Sequence, residues 1–202
     1  MKPDDDQLVI RHFAIPPAQK NEYLLISKTE AAVIDVAAAY DEISGIISKS
    51  GLRLRYILVT HAHKAHVQAL RRLRENYGGT FCLHSHELEL VRELDRELVP
   101  DRFVKDNESL SLGGTKIRIY HTPGHTKGSL VFYVKSAKAL FSGATLLKGG
   151  YGQIWGPGSM SLMVFSLKRL SYNIPAWTTI FTGSGDLTTM AAESWIQCLR
   201  SA

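Results

Sequence analysis

Three histidines fall close together in His61-Ala62-His63-Lys64-Ala65-His66, directly after the apolar run Tyr56–Thr60. In extended backbone, residues i and i+2 face the same side, so the His61 and His63 imidazoles can approach one ion. His66 lies where the chain turns into a helix and can reach the same neighbourhood. Imidazole suits zinc or iron. A second stretch, His121-Thr122-Pro123-Gly124-His125-Thr126-Lys127-Gly128-Ser129, sits between two strand-like runs. Its proline and glycine force a tight turn that can aim His125 sideways rather than into a sheet face. An H-x-H pair or a histidine in a turn is, taken alone, more often a chance surface feature. Histidines clustered at the end of an apolar strand, where α/β sheets place their chemistry, point further, to a metal centre.

These residues need elements to position them. Leu8–Ile15, Tyr23–Ser27 and Ala31–Val36 read as strands. Tyr40–Ser50 has helical spacing, with Ile43, Ile46 and Ile47 on one face and Gly51 as a stop. Tyr56–Thr60 is a strand, and a helix beginning near His66 carries Val67, Leu70 and Leu73. Thr80–Leu83 is a strand; Ser85 can cap a helix with Leu90, Val91, Leu94 and Leu98 on its apolar face, ended by Pro100. Strands return from Ser109, with clean alternation over Lys116-Ile117-Arg118-Ile119, then Leu130–Val134 and Ala139–Ser142. A glycine-rich loop, Gly149 to Gly158, leads into a helix whose face is Met160, Met163, Val164, Leu167 and Leu170. Thr178–Thr182 is a strand and Thr189–Leu199 a terminal helix. This order suggests two halves, each a sheet with helices, closing on one core within a single domain over residues 1–202.

Composition narrows the function classes. Lys and Arg number 24 and Asp and Glu 19, a net charge of 24 − 19 = +5, with 45% hydrophobic and 21% charged residues. Those proportions exclude a disordered or collagen-like chain. The basic residues occur in short groups with acids nearby, such as Arg71-Arg72-Arg74, so no nucleic-acid partner is expected. No apolar run reaches the roughly 20 residues of a membrane span, and the acidic start Met1-Lys2-Pro3-Asp4-Asp5-Asp6 lacks the core of a secretory signal. Cys82 and Cys198 form no C-x-x-C pair, and Cys82 reads as a small buried hydrophobe; a reducing cytoplasm fits.

The motifs together resemble the metallo-β-lactamase fold superfamily, and within it the glyoxalase II-like hydrolases. The family's H-x-H-x-D-H is similar to His61 through His66, and its T-P-G-H-T-x-G-S matches Thr122 through Ser129. Its F-S-G-D-T appears as Phe141-Ser142-Gly143-Ala144-Thr145, its late G-H-G as Gly183-Ser184-Gly185, and its I-D turn as Ile34-Asp35. The resemblance implies a four-layer αββα sandwich with metal in the cleft where two sheets meet. It implies one metal on His61, His63 and His125.

The departures matter as much. A second metal would sit at positions that here are Ala65, His66, Ala144 and Ser184, and only His66 survives. A methyl group donates no lone pair, and a serine hydroxyl is a poor zinc ligand beside imidazole. The expected cofactor is therefore one zinc or iron ion, with no second metal. The resemblance then implies a mononuclear hydrolase of an ester, thioester or related acyl substrate, the ion activating a water. The alternative is an inactive family member whose cleft binds a small molecule or partner protein. A superfamily nuclease is disfavoured, since those enzymes use two metals. His66 is the nearest group to replace the family's lost aspartate in proton transfer; Asp186 and Asp35 are weaker candidates, Asp35 reading better as a partner behind the ligands. Tyr151 and Trp155 on the glycine-rich loop are expected as apolar cleft walls, and Lys127 as a contact for an acidic substrate, though a solvated surface lysine is the simpler reading. His12, His84 and His86 read as structural or solvated, and His121 is assigned no metal role.

Overall fold

The computed structural model describes residues 7–17, 19–156 and 158–200. The acidic stretch 1–6 and Pro157 of the glycine-rich loop lie outside the described residues.

The first sheet contains β1 (Val9–Ile15), β2 (Lys20–Ser27), β3 (Glu30–Ile34), β4 (Arg53–Leu58), β5 (Thr80–Leu83) and β6 (Arg102–Phe103), paired in that order. Helix α1 (Tyr40–Lys49) connects β3 to β4; α2 (Lys64–Val67) and α3 (Leu70–Tyr77) connect β4 to β5; α4 (Leu88–Leu94) follows β5. The second sheet contains β7 (Ser109–Leu112), β8 (Thr115–His121), β9 (Leu130–Val134), β10 (Ala139–Gly143), β11 (Thr179–Thr182) and β12 (Thr188–Thr189), again paired in chain order. Helices α5 (Met160–Asn173) and α6 (Trp195–Cys198) belong to this half.

The two-residue period of a strand sends alternate side chains to opposite faces. On β2 and β3, Tyr23, Leu25, Ala32 and Ile34 face the second sheet and meet Ile117, Phe132 and Phe141 between the sheets. Their neighbours Leu24, Ala31 and Val33 face outward, under Ile43 and Ile47 of α1, Leu70 and Leu73 of α3 and Val91 of α4. On the far side, Val131, Tyr133, Leu140 and Ile180 are covered by Met163, Leu167 and Leu170 of α5 and Ile196 of α6. The result is the expected four-layer αββα sandwich. β2, β9 and β10 are buried on both faces, which is why they read as unbroken apolar runs. Cys82 is fully buried between the sheets, and burial pushes its thiol up to about 12. No helix among the described residues is long and apolar enough to cross a membrane.

Local details differ from the sequence expectations. The helix expected from His66 onward is two helices broken at Gln68-Ala69, because the Ala69 N–H turns aside to the Val36 carbonyl. The segment after β5 is capped by the His84 side chain rather than by Ser85, and begins with a 3-10 turn over Ser85–Glu87. Helix α4 stops at Leu94, with Asp95 extended, so Leu98 is buried from an irregular segment. The terminal helix is only Trp195–Cys198, since Thr188–Thr189 pairs with β11 as a strand.

Strands β3, β4, β5 and β6 run parallel, as do β10 and β11. The loops after β4, β8, β10 and β11 therefore gather at one end of the sandwich, at the carboxyl ends of these strands, where open α/β sheets bind ligands. The sheets approach closely there. Gly143 has φ +52, and a Cβ on it would lie 2.7 Å from the Thr60 side chain just before His61. Only glycine fits both constraints.

Candidate metal centre

His61 leaves the end of β4 and is buried at 2% exposure. Its Nδ1 lies 3.0 Å from Thr60 Oγ1, and that hydroxyl donates to Asp35 Oδ2 at 2.8 Å. The hydroxyl hydrogen is thus committed to Asp35, so Thr60 accepts from His61 Nδ1–H. The Nε2 lone pair is left for the cleft. Asp35 also accepts the Thr60 N–H at 2.8 Å and His66 Nδ1–H at 2.8 Å. One carboxylate, held in a φ of +54, therefore orients both His61 and His66.

His125 arrives from the turn after β8. Gly124 makes this turn against the start of α5, where a Cβ would come within 2.5 Å of Met163 Cα. The His125 Nδ1–H donates to the Gln153 carbonyl, so its Nε2 lone pair also points inward, and it lies 3.2 Å from His63 Nδ1. That separation is near the ~3.4 Å edge of a tetrahedron with bonds of about 2.0–2.1 Å. The ligand nitrogens of His61, His63 and His125 all lie within 4.8 Å of one another. Ring planes meet at 89° for His61 and His63, 90° for His61 and His125, and 84° for His63 and His125. Three lone pairs so arranged can converge on one ion, and two of the three rings are oriented through their far nitrogen, as metal-ligating histidines usually are.

Burial, more than the neighbouring imidazoles, holds all three below the usual histidine range: His61 well below it, His63 at about 4, and His125 lower despite the Gln153 bond that acts the other way. At neutral pH the rings are uncharged and their lone pairs available. The donor set fits a borderline divalent ion such as zinc.

The cleft has a volume of about 500 Å³ and is also lined by His66, Ala65, Ala144, Ser184 and Trp155. The positions where the family resemblance implies a second ion are thus in the cleft, as two methyl groups and a hydroxyl. Trp155 packs edge-on to His63 at 5.0 Å. Tyr151 is exposed and is not among the residues lining the cleft; its ring lies 6.3 Å from that of Trp195, while the next residue, Gly152, lines the cleft and donates its N–H to the Ala144 carbonyl. The Lys127 side chain is exposed and is not among the residues lining the cleft, and its carbonyl accepts from His121 Nε2. Asp186 is exposed and paired with Lys148 at 2.9 Å, away from the histidines.

Two functional-looking residues escaped the sequence reading. Lys20, at the start of β2, lines the cleft, bridges to Ser184, and lowers the proton affinity of all three histidines through its charge. In the sequence it is merely a polar residue separating two strands. Glu87 is buried at 1% exposure and accepts the Ala62 N–H and the Gly128 N–H, each at 2.8 Å, so it joins the two histidine-bearing loops.

Known proteins share the sequence pattern and the fold. A model of the metallo-beta-lactamase superfamily matches residues 15–202. A probable metallo-hydrolase, YqgX of Bacillus subtilis, is 29% identical over 197 residues, covering 91% of this chain and 93% of its own. Hydroxyacylglutathione hydrolase of Pelagibacter ubique is 33% identical over 163 residues, which is 80% of this chain but only 64% of that enzyme. Among solved structures, BLEG-1 B3 metallo-beta-lactamase superposes with a TM-score of 0.82 at 25% identity, over 92% of this chain and 96% of that one. TTHA1623, in a di-iron-bound form, gives 0.78 at 28% identity over 91% of this chain and 96% of that one. Sequence match and superposition both extend over nearly the whole length, and on them this chain belongs to the metallo-beta-lactamase superfamily.

Proposed function

We propose that the protein is a metal-dependent hydrolase that holds one divalent ion on His61, His63 and His125 and cleaves an ester, thioester or related acyl substrate. The observation that carries this reading is the convergence of three neutral imidazoles in a cleft whose second-site positions are Ala65, Ala144 and Ser184. When bound, the ion supplies Lewis acidity and lowers the pKa of a water at its open position to about 7. The chain's own groups do the rest. Asp35 holds His66 by Nδ1, which leaves Nε2 at the cleft wall to accept and pass on a proton. The Lys20 ammonium offers positive charge to the substrate oxygen that becomes negative as the acyl carbon is attacked. Trp155, beside His63, supplies an apolar wall. Relatives named hydroxyacylglutathione hydrolase favour a thioester, although this chain spans about two thirds or less of their length.

A second reading, an inactive cleft that binds without turnover, is favoured by one observation: no carboxylate is among the described residues lining the cleft. Metal analysis of untagged protein and a panel of thioesters and esters separate the two. The hydrolase reading expects one ion in the cleft, seen as one equivalent more in wild type than in His63→Ala, with turnover abolished by a chelator and by that substitution. Equal metal in the two proteins and no turnover would leave the inactive cleft. Lys20→Met is expected to lower kcat by about 10²-fold, the scale of a lost oxyanion contact, with metal content unchanged. An unaltered kcat would remove Lys20 from the chemistry.

A further inference from the structure

Contrary to their bland reading in the sequence, His84, His86 and His121 come together. Their ligand nitrogens lie within 4.8 Å of one another, and they share no residue with the cleft. His84 follows the end of β5 in the first sheet, while His121 ends β8 in the second. We propose that these three histidines form a second site for a borderline divalent ion such as zinc, one that pins the two sheets to each other beside the catalytic cleft.

The local bonding suits ligation. His121 Nε2–H donates to the Lys127 carbonyl at 2.8 Å, which frees Nδ1 as a lone-pair donor in the manner of metal-bound histidines. The backbone beneath is anchored: the His121 N–H donates to Asp106 at 2.8 Å, and Arg169 pairs with the same carboxylate at 2.9 Å. His84 is buried, and among the described residues its Nδ1 is engaged only by the His86 backbone N–H at a long 3.3 Å, a bond an ion readily displaces. His86 is exposed, its side chain makes no hydrogen bond among the described residues, and its ring lies 4.8 Å from that of His84. The His84 and His121 rings are stacked at 3.9 Å and 11°. Binding turns the weakly held His84 ring out of parallel, a rotation the broad terminal torsion of histidine permits, while His121 keeps its Lys127 bond. Burial holds His84 at about 4 and lowers His121, so both are uncharged at neutral pH.

Untagged protein, stripped with chelator and equilibrated by dialysis against micromolar zinc, tests the site by elemental analysis. His86→Ala is expected to carry one zinc equivalent fewer than wild type and to bind that equivalent at least ~100-fold more weakly, more than the loss of an outer-shell partner costs. Equal zinc in wild type and His86→Ala would overturn the proposal. The cleft is tested separately by His63→Ala, so either site can fail without the other. In the His63→Ala background, zinc is expected to raise Tm, and adding His86→Ala to abolish the rise. A rise that survives the second substitution would also overturn it.

Discussion

Glu87→Ala lowers the unfolding free energy by about 2–5 kcal/mol and weakens metal binding in the cleft, although Glu87 touches no ion. The expectation follows from its two bonds. One carboxylate oxygen accepts the N–H of Ala62, between His61 and His63; the other accepts that of Gly128, just past His125. All three groups are buried. Truncation leaves two buried donors without partners, each costing about 1–3 kcal/mol, and adds a small cavity. Glu87→Gln keeps the shape but has only one oxygen to accept with, so one donor then faces an NH₂ group. An intermediate loss is expected. Urea unfolding of the three proteins, with a chelator competition for the ion, measures both effects. A wild-type urea midpoint in Glu87→Ala would show that the loops are held by something else.

Acid weakens the metal-free fold over a window set by the buried histidines. In the unfolded chain a histidine takes up its proton near pH 6.5. In the native state His63 and His84 stay neutral down to about pH 4, and His61, His121 and His125 shift in the same direction. Between these limits the unfolded state binds more protons, so the unfolding free energy rises with pH and falls on acidification. His63, which is half-buried, and His84 together contribute a loss on the order of a few kcal/mol by the lower end. Glu22 acts oppositely: burial raises it, so the native state takes up that proton before the unfolded chain does, which offsets part of the loss as pH falls. Urea midpoints from pH 7.5 to 4.5 in chelator are expected to fall steadily, less so in His63→Ala. A flat profile would mean that the histidines are not buried in their neutral form.

What the sequence disclosed and what it hid divide by distance along the chain. The H-x-H pair and the His125 turn are local patterns, and the apolar periods predict α5 and most strands of both sheets, with β2 and β4 begun three residues late; the two-residue strands β6 and β12 carry no such period, and Thr189 of β12 falls in the expected terminal helix. Asp35 was visible as a partner because it ends a strand. Glu87 was not, since its two bonds reach 25 and 41 residues away. Lys20 enters the cleft only because β2 is set beside Ser184 by the docking of the sheets. The same docking stacks His84 on His121. The break at Gln68-Ala69 depends on the Val36 carbonyl, and no helical period could foretell it.

The strand order bears on how the molecule is made. Every pairing in the first sheet joins neighbours in the chain, and that sheet is complete at Phe103. Short-range pairing of this kind closes small loops at low entropic cost. Strand pairing within each sheet can therefore precede docking, whereas the core between the sheets, which holds Tyr23, Ile34, Phe132 and Phe141, forms only when the two sheets meet. An ion shared by His63 and His125 has no complete cage until the halves have met. Such an ion would be a latch on a finished body and not a seed for building one.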